Sequence, residues 1–280
     1  MSSHAEGARG RQVLLWLGVA AIVVFCLFPF YWLINTSLKT GADLSGAALL
    51  PPTPTVDNYT SIFEDTAFTN ALRNSAIIAG SVTVLSLLIG SFAGYALARL
   101  HLPFKFLILA IVLSISTFPP IAIAAPIFEL WTDIGLYNTY LGLILPSLAF
   151  GLPLTVFIMA SFFHDIPREL EDAALVDGAT RLQAFRKVVV PLAAPGVVTA
   201  GLLVFIFAWN EFLFAITLTS TPERRPVPAA IAFFTGSQQF EVPLGTISAA
   251  SVVVTIPLIV LVLIFQRRIV AGLTAGAVKG

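Results

Sequence analysis

An all-α integral membrane protein with six spanning helices is the fold class this sequence predicts, on three observations. Of 280 residues, 58% are hydrophobic and only 11% charged, with a mean hydropathy of +0.94; soluble domains carry about a quarter charged residues. The apolar residues gather in blocks of about 20, the length that crosses a ~30 Å hydrocarbon core as a helix. Basic residues crowd into alternate connecting segments, as membrane topology requires. Net charge is zero, which gives no ground for a nucleic-acid partner.

The first block, Val13 to Ile34, follows Arg9 and Arg11. It is too long for the apolar core of a secretory signal and no small-x-small cleavage site follows it, so it is expected to stay as a span. Bulky Phe25 before Cys26 argues against a lipid-modified cysteine. As the lone cysteine, Cys26 has no internal disulfide partner and is expected to pack as a small hydrophobe. A proline-rich segment, LLPPTPTVDNYTSIF (Leu49 to Phe63), leads to the second block, Ala76 to Leu97, where Gly90 and Gly94 form a G-x-x-x-G that favours close helix packing. The third block, Phe104 to Phe128, should break or kink at Pro119-Pro120. Tyr140 to Phe163 contains Pro146 and Pro153, whose freed carbonyls need donors from neighbouring helices or water. Ala193 to Leu218 and Ile247 to Phe265 complete the set, with the segment PERRPVP (Pro222 to Pro228) between them. Ser81, Thr83, Ser86 and Thr255 are read as hydrogen-bonding glue between helices. His101 and His164 fall at span ends with no second His or Cys at ligand spacing, so no metal site is expected. Residues 1–280 read as a single transmembrane domain.

With a cytoplasmic N-terminus, 11 basic residues lie inside and 4 (Lys39, Arg73, Arg224 and Arg225) outside, which places both termini in the cytoplasm. The segment between spans four and five, 164–191, is then cytoplasmic too. It holds a charged stretch, EDAALVDGATRLQAFRKVVVP (Glu171 to Pro191). Asp165 is a candidate cap for a helix whose first turn suits Pro167, and Gly178 is a stop signal. Leu170, Ala173 and Ala174 share one face at i, i+3, i+4 spacing, with Arg168, Glu171 and Asp172 off it. Thr180 and Gln183 match a capping box, after which Leu182, Phe185 and Val189 make an apolar stripe that Pro191 should end. A connection between antiparallel spans needs only about 2–8 residues. A stiff, amphipathic knob of this length therefore reads as a docking surface for a soluble partner rather than as a solvated loop folding back on the membrane ends.

Asp172-Ala173-Ala174, Gly178 after three residues, and Val188-x-Val190-Pro191 after nine more resemble the E-A-A-x3-G-x9-I-x-L-P loop of bacterial ATP-binding-cassette import permeases. Gly178 and Pro191 match outright, whereas Asp for Glu and the two valines are departures. The stretches DNY (Asp57 to Tyr59), ALRNS (Ala71 to Ser75), FAWNEF (Phe207 to Phe212) and QRRIVAGLTAGAVKG (Gln266 to Gly280) are similar to the second permease of the maltose and trehalose class of sugar importers, actinobacterial trehalose importers above all. The resemblance covers nearly the whole chain. It implies the type I importer fold, with Glu171, Asp172, Ala173, Ala174, Gly178 and Pro191 in a coupling helix pair seated on an ATPase subunit. It also implies a second permease as heterodimeric partner, two copies of the ATPase that bind ATP and Mg, an extracytoplasmic sugar-binding protein, and a plasma-membrane location. This chain would hold no cofactor itself. For the tail 266–280, composition alone reads as a flexible end. The resemblance implies instead that Gly272, Thr274, Gly276 and Lys279 contact the ATPases, and nine extended residues reach up to about 30 Å.

Glu211 is the only acidic residue well inside a predicted span, where a charge costs a few kcal/mol and so faces protein or a water-filled cavity. Trp209, Asn210 and Glu211 offer an aromatic plane, an amide and a carboxylate, suited to a sugar pathway or its gate. The alternative is a structural carboxylate bonded to a neighbouring helix or to the partner permease. A proton-coupled secondary transporter using Glu211 is a second functional class, but such folds typically show inverted repeats and paired broken helices, signs missing here. An intramembrane enzyme would need two acids or a nucleophile with a base, which one buried acid and two edge histidines do not supply. The chain also lacks a G-x4-G-K-[ST] phosphate loop. An ATP-driven reading therefore puts the ATPase on another subunit.

Overall fold

The structure, a computed structural model, describes the backbone of residues 2–234 and 243–277 and the side chains of 11–41, 43–44, 46–234 and 243–266. In chain order its helices are α1 (Ser2–Ser37), α2 (Asp57–Glu64), α3 (Thr66–Arg99), α4 (Lys105–Thr117), α5 (Pro120–Asp133), α6 (Tyr140–Asp165), α7 (Arg168–Val176), α8 (Arg181–Ala184), α9 (Val190–Leu192), α10 (Ala194–Trp209), α11 (Leu213–Leu218), α12 (Val227–Ala232) and α13 (Leu244–Ala277). The described residues contain no strand. Among the described residues four segments, Arg11–Ser37, Thr66–Arg99, Tyr140–Asp165 and Leu244–Gln266, are long and apolar enough to cross a membrane, and the number rises to six when each of two bent helix pairs is one span. One pair is α4 with α5, bent by 85° where Pro119 stands in extended backbone, the break that Pro119-Pro120 predicts.

Several expected edges move. α1, α3 and α13 outrun their apolar blocks, because polar flanking residues carry the helix on after the hydrophobic run ends. The tail does not begin as extended chain: the backbone of α13 is helical to Ala277, and a helix advances only about 1.5 Å per residue, so it reaches less than half as far. The fifth block is not one helix, since the chain leaves helical geometry between Trp209 and Leu213.

The chain groups into two compact units, Met1–Asp65 with Phe234–Thr255, and Thr66–Phe233 with Ile256–Gly280. In the first, α1 exposes Val13, Trp16, Phe25 and Ile34 along its described length, and Cys26 is exposed among them rather than packed. Order sets in at the end of α1, where buried Asn58 of α2 donates through Nδ2 to the carbonyls of Ser37 and Lys39, both at 2.9 Å, and Gly245 approaches its amide closely. Tyr59 shares a 2.7 Å hydrogen bond with the Ser37 hydroxyl. Lys39 is buried with its Nζ donating to the Ala48 carbonyl at 2.8 Å and lying over the Trp32 ring. The DNY stretch thus ties down the chain that leaves α1.

The second unit is built on α3 against α6. A Cβ at Gly90 would come within 2.5 Å of the Thr155 side chain, and one at Gly94 within 2.8 Å of the Ala160 backbone, so the G-x-x-x-G is the seam along which the two helices meet. Thr83 and Thr255 do not act as glue between helices: each donates to its own helix, to the carbonyls of Ala79 and Ser251. Buried Ser86 does face the seam, near Gly151, but its hydroxyl has no hydrogen-bond partner among the described residues. In α6, Pro146 cannot donate to the Gly142 carbonyl four residues back; the Trp131 indole of α5 takes that carbonyl at 2.8 Å. Buried Asn74 of α3 donates to the carbonyls of Glu223 and Arg225 and accepts from the Tyr140 hydroxyl, while Ser75 accepts from the Val227 amide. The ALRNS stretch therefore straps the segment after α11 onto the helix bundle.

Candidate functional site

The knob consists of α7, a glycine turn, α8 and a π-helical turn at Phe185–Val189. Pro167 precedes α7, which has no side-chain cap; Asp165 instead closes α6, so the expected capping role is corrected. The far end is made by backbone bonds from Gly178 to Leu175 and from Ala179 to Ala174, the two bonds of a Schellman stop. That stop needs a left-handed residue, and Gly178 has φ +89°. Thr180 and Gln183 form both bonds of the capping box.

The apolar face that periodicity picks out on α7 is turned outward, and one residue off that face is turned inward. Leu170 and Ala173 are exposed, Ala174 is half-buried, and Glu171, off the apolar face by periodicity, is buried. Its carboxylate pairs with Arg99 at 3.2 Å and accepts from the Tyr95 hydroxyl, both groups belonging to α3. Arg99 also donates to the Ile166 carbonyl at 2.9 Å, and Arg168 donates back to the Ala98 carbonyl. Losing one member of a buried pair costs about 3–5 kcal/mol, since the survivor is left uncompensated. Asp172 is exposed beside this network.

The apolar stripe of the second helix is split. Phe185 and Val189 are buried with Ala98, Met159, Phe163, Ala193 and Ala200, each large side chain contributing about 1.5–3 kcal/mol by burial. The Phe185 ring meets Tyr95 at 4.8 Å and Phe163 at 5.8 Å. Leu182 points away and is 63% exposed, as Val176 is at 87%. Pro191 does not itself end the helix: after the wide turn Phe185–Val189 the helix runs one residue past it, to Leu192, and the chain then bends by 76° into α10.

At the other candidate site, α10 ends at Trp209 and Glu211 stands in the break before α11. Both carboxylate oxygens are engaged, accepting from the amides of Phe214 at 2.8 Å and Ala215 at 3.0 Å. Trp209 is buried and stacked on Phe205, and its indole N–H has no hydrogen-bond partner among the described residues. Asn210 is exposed and donates to the Ile206 carbonyl of its own helix. Among the described residues no hydrogen bond links the three side chains to one another. Of the tail residues, Gly272, Thr274 and Gly276 lie on the backbone of α13, while their side chains and Lys279 fall outside the described residues.

Residues 86–274 match the family described as the binding-protein-dependent transport system inner membrane component. The chain belongs to this family. The permease is 51% identical over 271 residues to the trehalose transport system permease protein SugB of Mycobacterium tuberculosis, covering 96% of this chain and 99% of that one. It is 44% identical to the sulfoquinovosyl glycerol transport system permease protein SmoH of Agrobacterium fabrum, with 95% and 94% covered. To the trehalose/maltose transport system permease protein MalG of Thermococcus litoralis it is 40% identical, with 96% and 98% covered. The permease fold matches a chain in the crystal structure of a bacterial ABC transporter involved in alginate import, with a TM-score of 0.77 at 23% identity over 92% and 96% of the two chains.

Sequence reasoning missed Tyr95, Arg99 and Arg168 as site residues of the permease. The signal for Arg99 is its place in the last turn of α3, directly after the second apolar block. Counted only as a topology marker, it says nothing about the carboxylate it meets 72 residues later at Glu171.

Proposed function

We propose that this chain is one permease of an ATP-driven importer for a small oligosaccharide, with trehalose the leading substrate. The observation that carries this is the 51% identity to a trehalose permease along almost the entire length of both chains. In this reading residues 1–280 form one transmembrane permease domain in the plasma membrane, with both termini in the cytoplasm. A second permease completes the pathway as a heterodimer, two ATPase copies bind ATP and Mg below it, and a sugar-binding protein delivers substrate from outside. The exposed rim of Leu170, Asp172, Ala173, Val176 and Leu182, carried on a glycine-stopped and capped knob, supports seating in a groove of the ATPase. Closure of the ATPases on ATP would then push this knob and bias the pathway between inward and outward access, a two-state change driven by differential binding.

Glu211 spends both oxygens on the start of α11. This supports a structural part for the carboxylate beside the pathway, with Trp209 and Asn210 as neighbours, and gives proton carriage no support.

Uptake of labelled trehalose by cells with and without the intact gene tests the substrate. Loss of trehalose uptake, restored by the wild-type chain, is expected, with unlabelled maltose and sulfoquinovosyl glycerol as competitors. Unchanged trehalose uptake together with loss of another sugar would reassign the substrate.

A further inference from the structure

We propose that Glu171, Arg99 and Tyr95 form an internal latch that fastens α7 to the end of α3, so that a push on the knob moves α3 as a rigid rod. Glu171 is then a positioning residue of the coupling step and no part of the docking face. The inference rests on the proposed function.

Four observations converge on it. The two charged side chains are 7% and 11% exposed, so a soluble partner does not reach Glu171 while the pair is closed. Arg99 meets two points at once, the Glu171 carboxylate as a charge pair through Nε, without a hydrogen bond, and the Ile166 carbonyl at the junction of α6 and α7 through a hydrogen bond from Nη2. Arg168 returns the contact from α7 to Ala98, so each helix end lends the other an arginine. Tyr95 belongs to both halves of the attachment, donating to Glu171 while its ring packs against Phe185 and Phe163.

A greasy contact alone slides at little cost; a buried charge pair holds only one register, because any shift leaves both charges uncompensated in a low-dielectric site. The rod it drives is long. α3 runs 34 residues without a break, about 50 Å at helical rise, and its Gly90 and Gly94 sit against α6. Displacement of the knob thus reaches the middle of the bundle without a flexible joint.

The test uses the complete transporter in proteoliposomes, with its sugar-binding protein and labelled trehalose. It compares Glu171→Gln, Arg99→Gln, the reversed pair Arg99→Glu with Glu171→Arg, and Asp172→Asn from the exposed rim. ATP hydrolysed per sugar carried is read beside the amount of ATPase subunit that copurifies. Each single change at the pair should keep the ATPase subunits at wild-type ratio and raise the ATP used per sugar about tenfold or more, and the reversed pair should return it to within about threefold of wild type. Asp172→Asn should instead lower ATPase retention. A wild-type ratio in Glu171→Gln, loss of ATPase subunits from that variant, or a reversed pair as damaged as the single changes would overturn the latch. If the single variants do not accumulate in the membrane, the reversed pair decides: recovery of accumulation and coupling supports the latch, and failure of both overturns it. The proposed function stands or falls on the wild-type complex alone, so the two failures are told apart; a wild type that neither holds ATPase subunits nor carries sugar overturns both.

Discussion

Gly178 holds its turn in a conformation that a side chain would strain, with φ +89° at the junction of α7 and α8. Open space lies where a Cβ would stand, so the cost of Gly178→Val is conformational, about 1–2 kcal/mol, and it falls on the angle between the two short helices. We predict normal membrane insertion with transport and sugar-stimulated ATPase both reduced; normal values for the purified complex would remove the turn from the coupling path. Glu211 makes a different prediction. Glu211→Gln keeps one acceptor and loses the charge, which should weaken the start of α11 by about 1 kcal/mol and lower the thermal midpoint in detergent. Transport should stay ATP-dependent, and a variant that loses proton coupling found in the wild type would bring secondary transport back. Gly178, Thr180 and Gln183 were legible in the sequence because a cap or a stop is a local bargain among neighbours. Glu171 was not, because helical periodicity sorts side chains by polarity, and a carboxylate turns inward only when a distant cation meets it.

Elements show the same division. Pro119-Pro120 broke its span where expected, since a ring without an N–H acts on its own backbone. Pro146 of α6 and Pro191 had outcomes that depended on their surroundings. Pro146 leaves the Gly142 carbonyl to the Trp131 indole, and Pro191 follows a π turn that carries the helix past it. Removing the indole N–H should therefore leave a buried carbonyl unpaired, at about 1–3 kcal/mol. We predict that Trp131→Phe lowers thermal stability in detergent. Adding Pro146→Ala, which restores a backbone donor for Gly142, should recover much of the loss. Equal stability of Trp131→Phe and wild type would show that another donor serves the carbonyl. The seam of Gly90 and Gly94 was legible as a motif, but only the structure assigned it to α6.

At the scale of the whole molecule, the tail is the open segment. The backbone of α13 runs on as helix to Ala277, so a contact with the ATPases would be made by a continuing rod rather than by a loose strand. Deleting Thr274 to Gly280 is predicted to lower ATPase coupling while leaving the choice of sugar unchanged, measured as ATP used per sugar for several sugars; wild-type values throughout would show the tail to be dispensable. By itself the sequence determined that the chain is an all-helical membrane protein with blocks of spanning length, a capped knob in a polar segment and a break at its double proline. Those properties follow from hydrophobic length, caps and backbone chemistry, all of which act within a few residues. Only the tertiary structure decided that Glu171 faces α3, that Phe185 and Val189 plug the bundle while Leu182 stays outside, and that Asn74 and Asn58 strap their loops. Each of those outcomes depends on what a side chain meets from a distant part of the chain, and burial free energy is set by that meeting rather than by the residue alone.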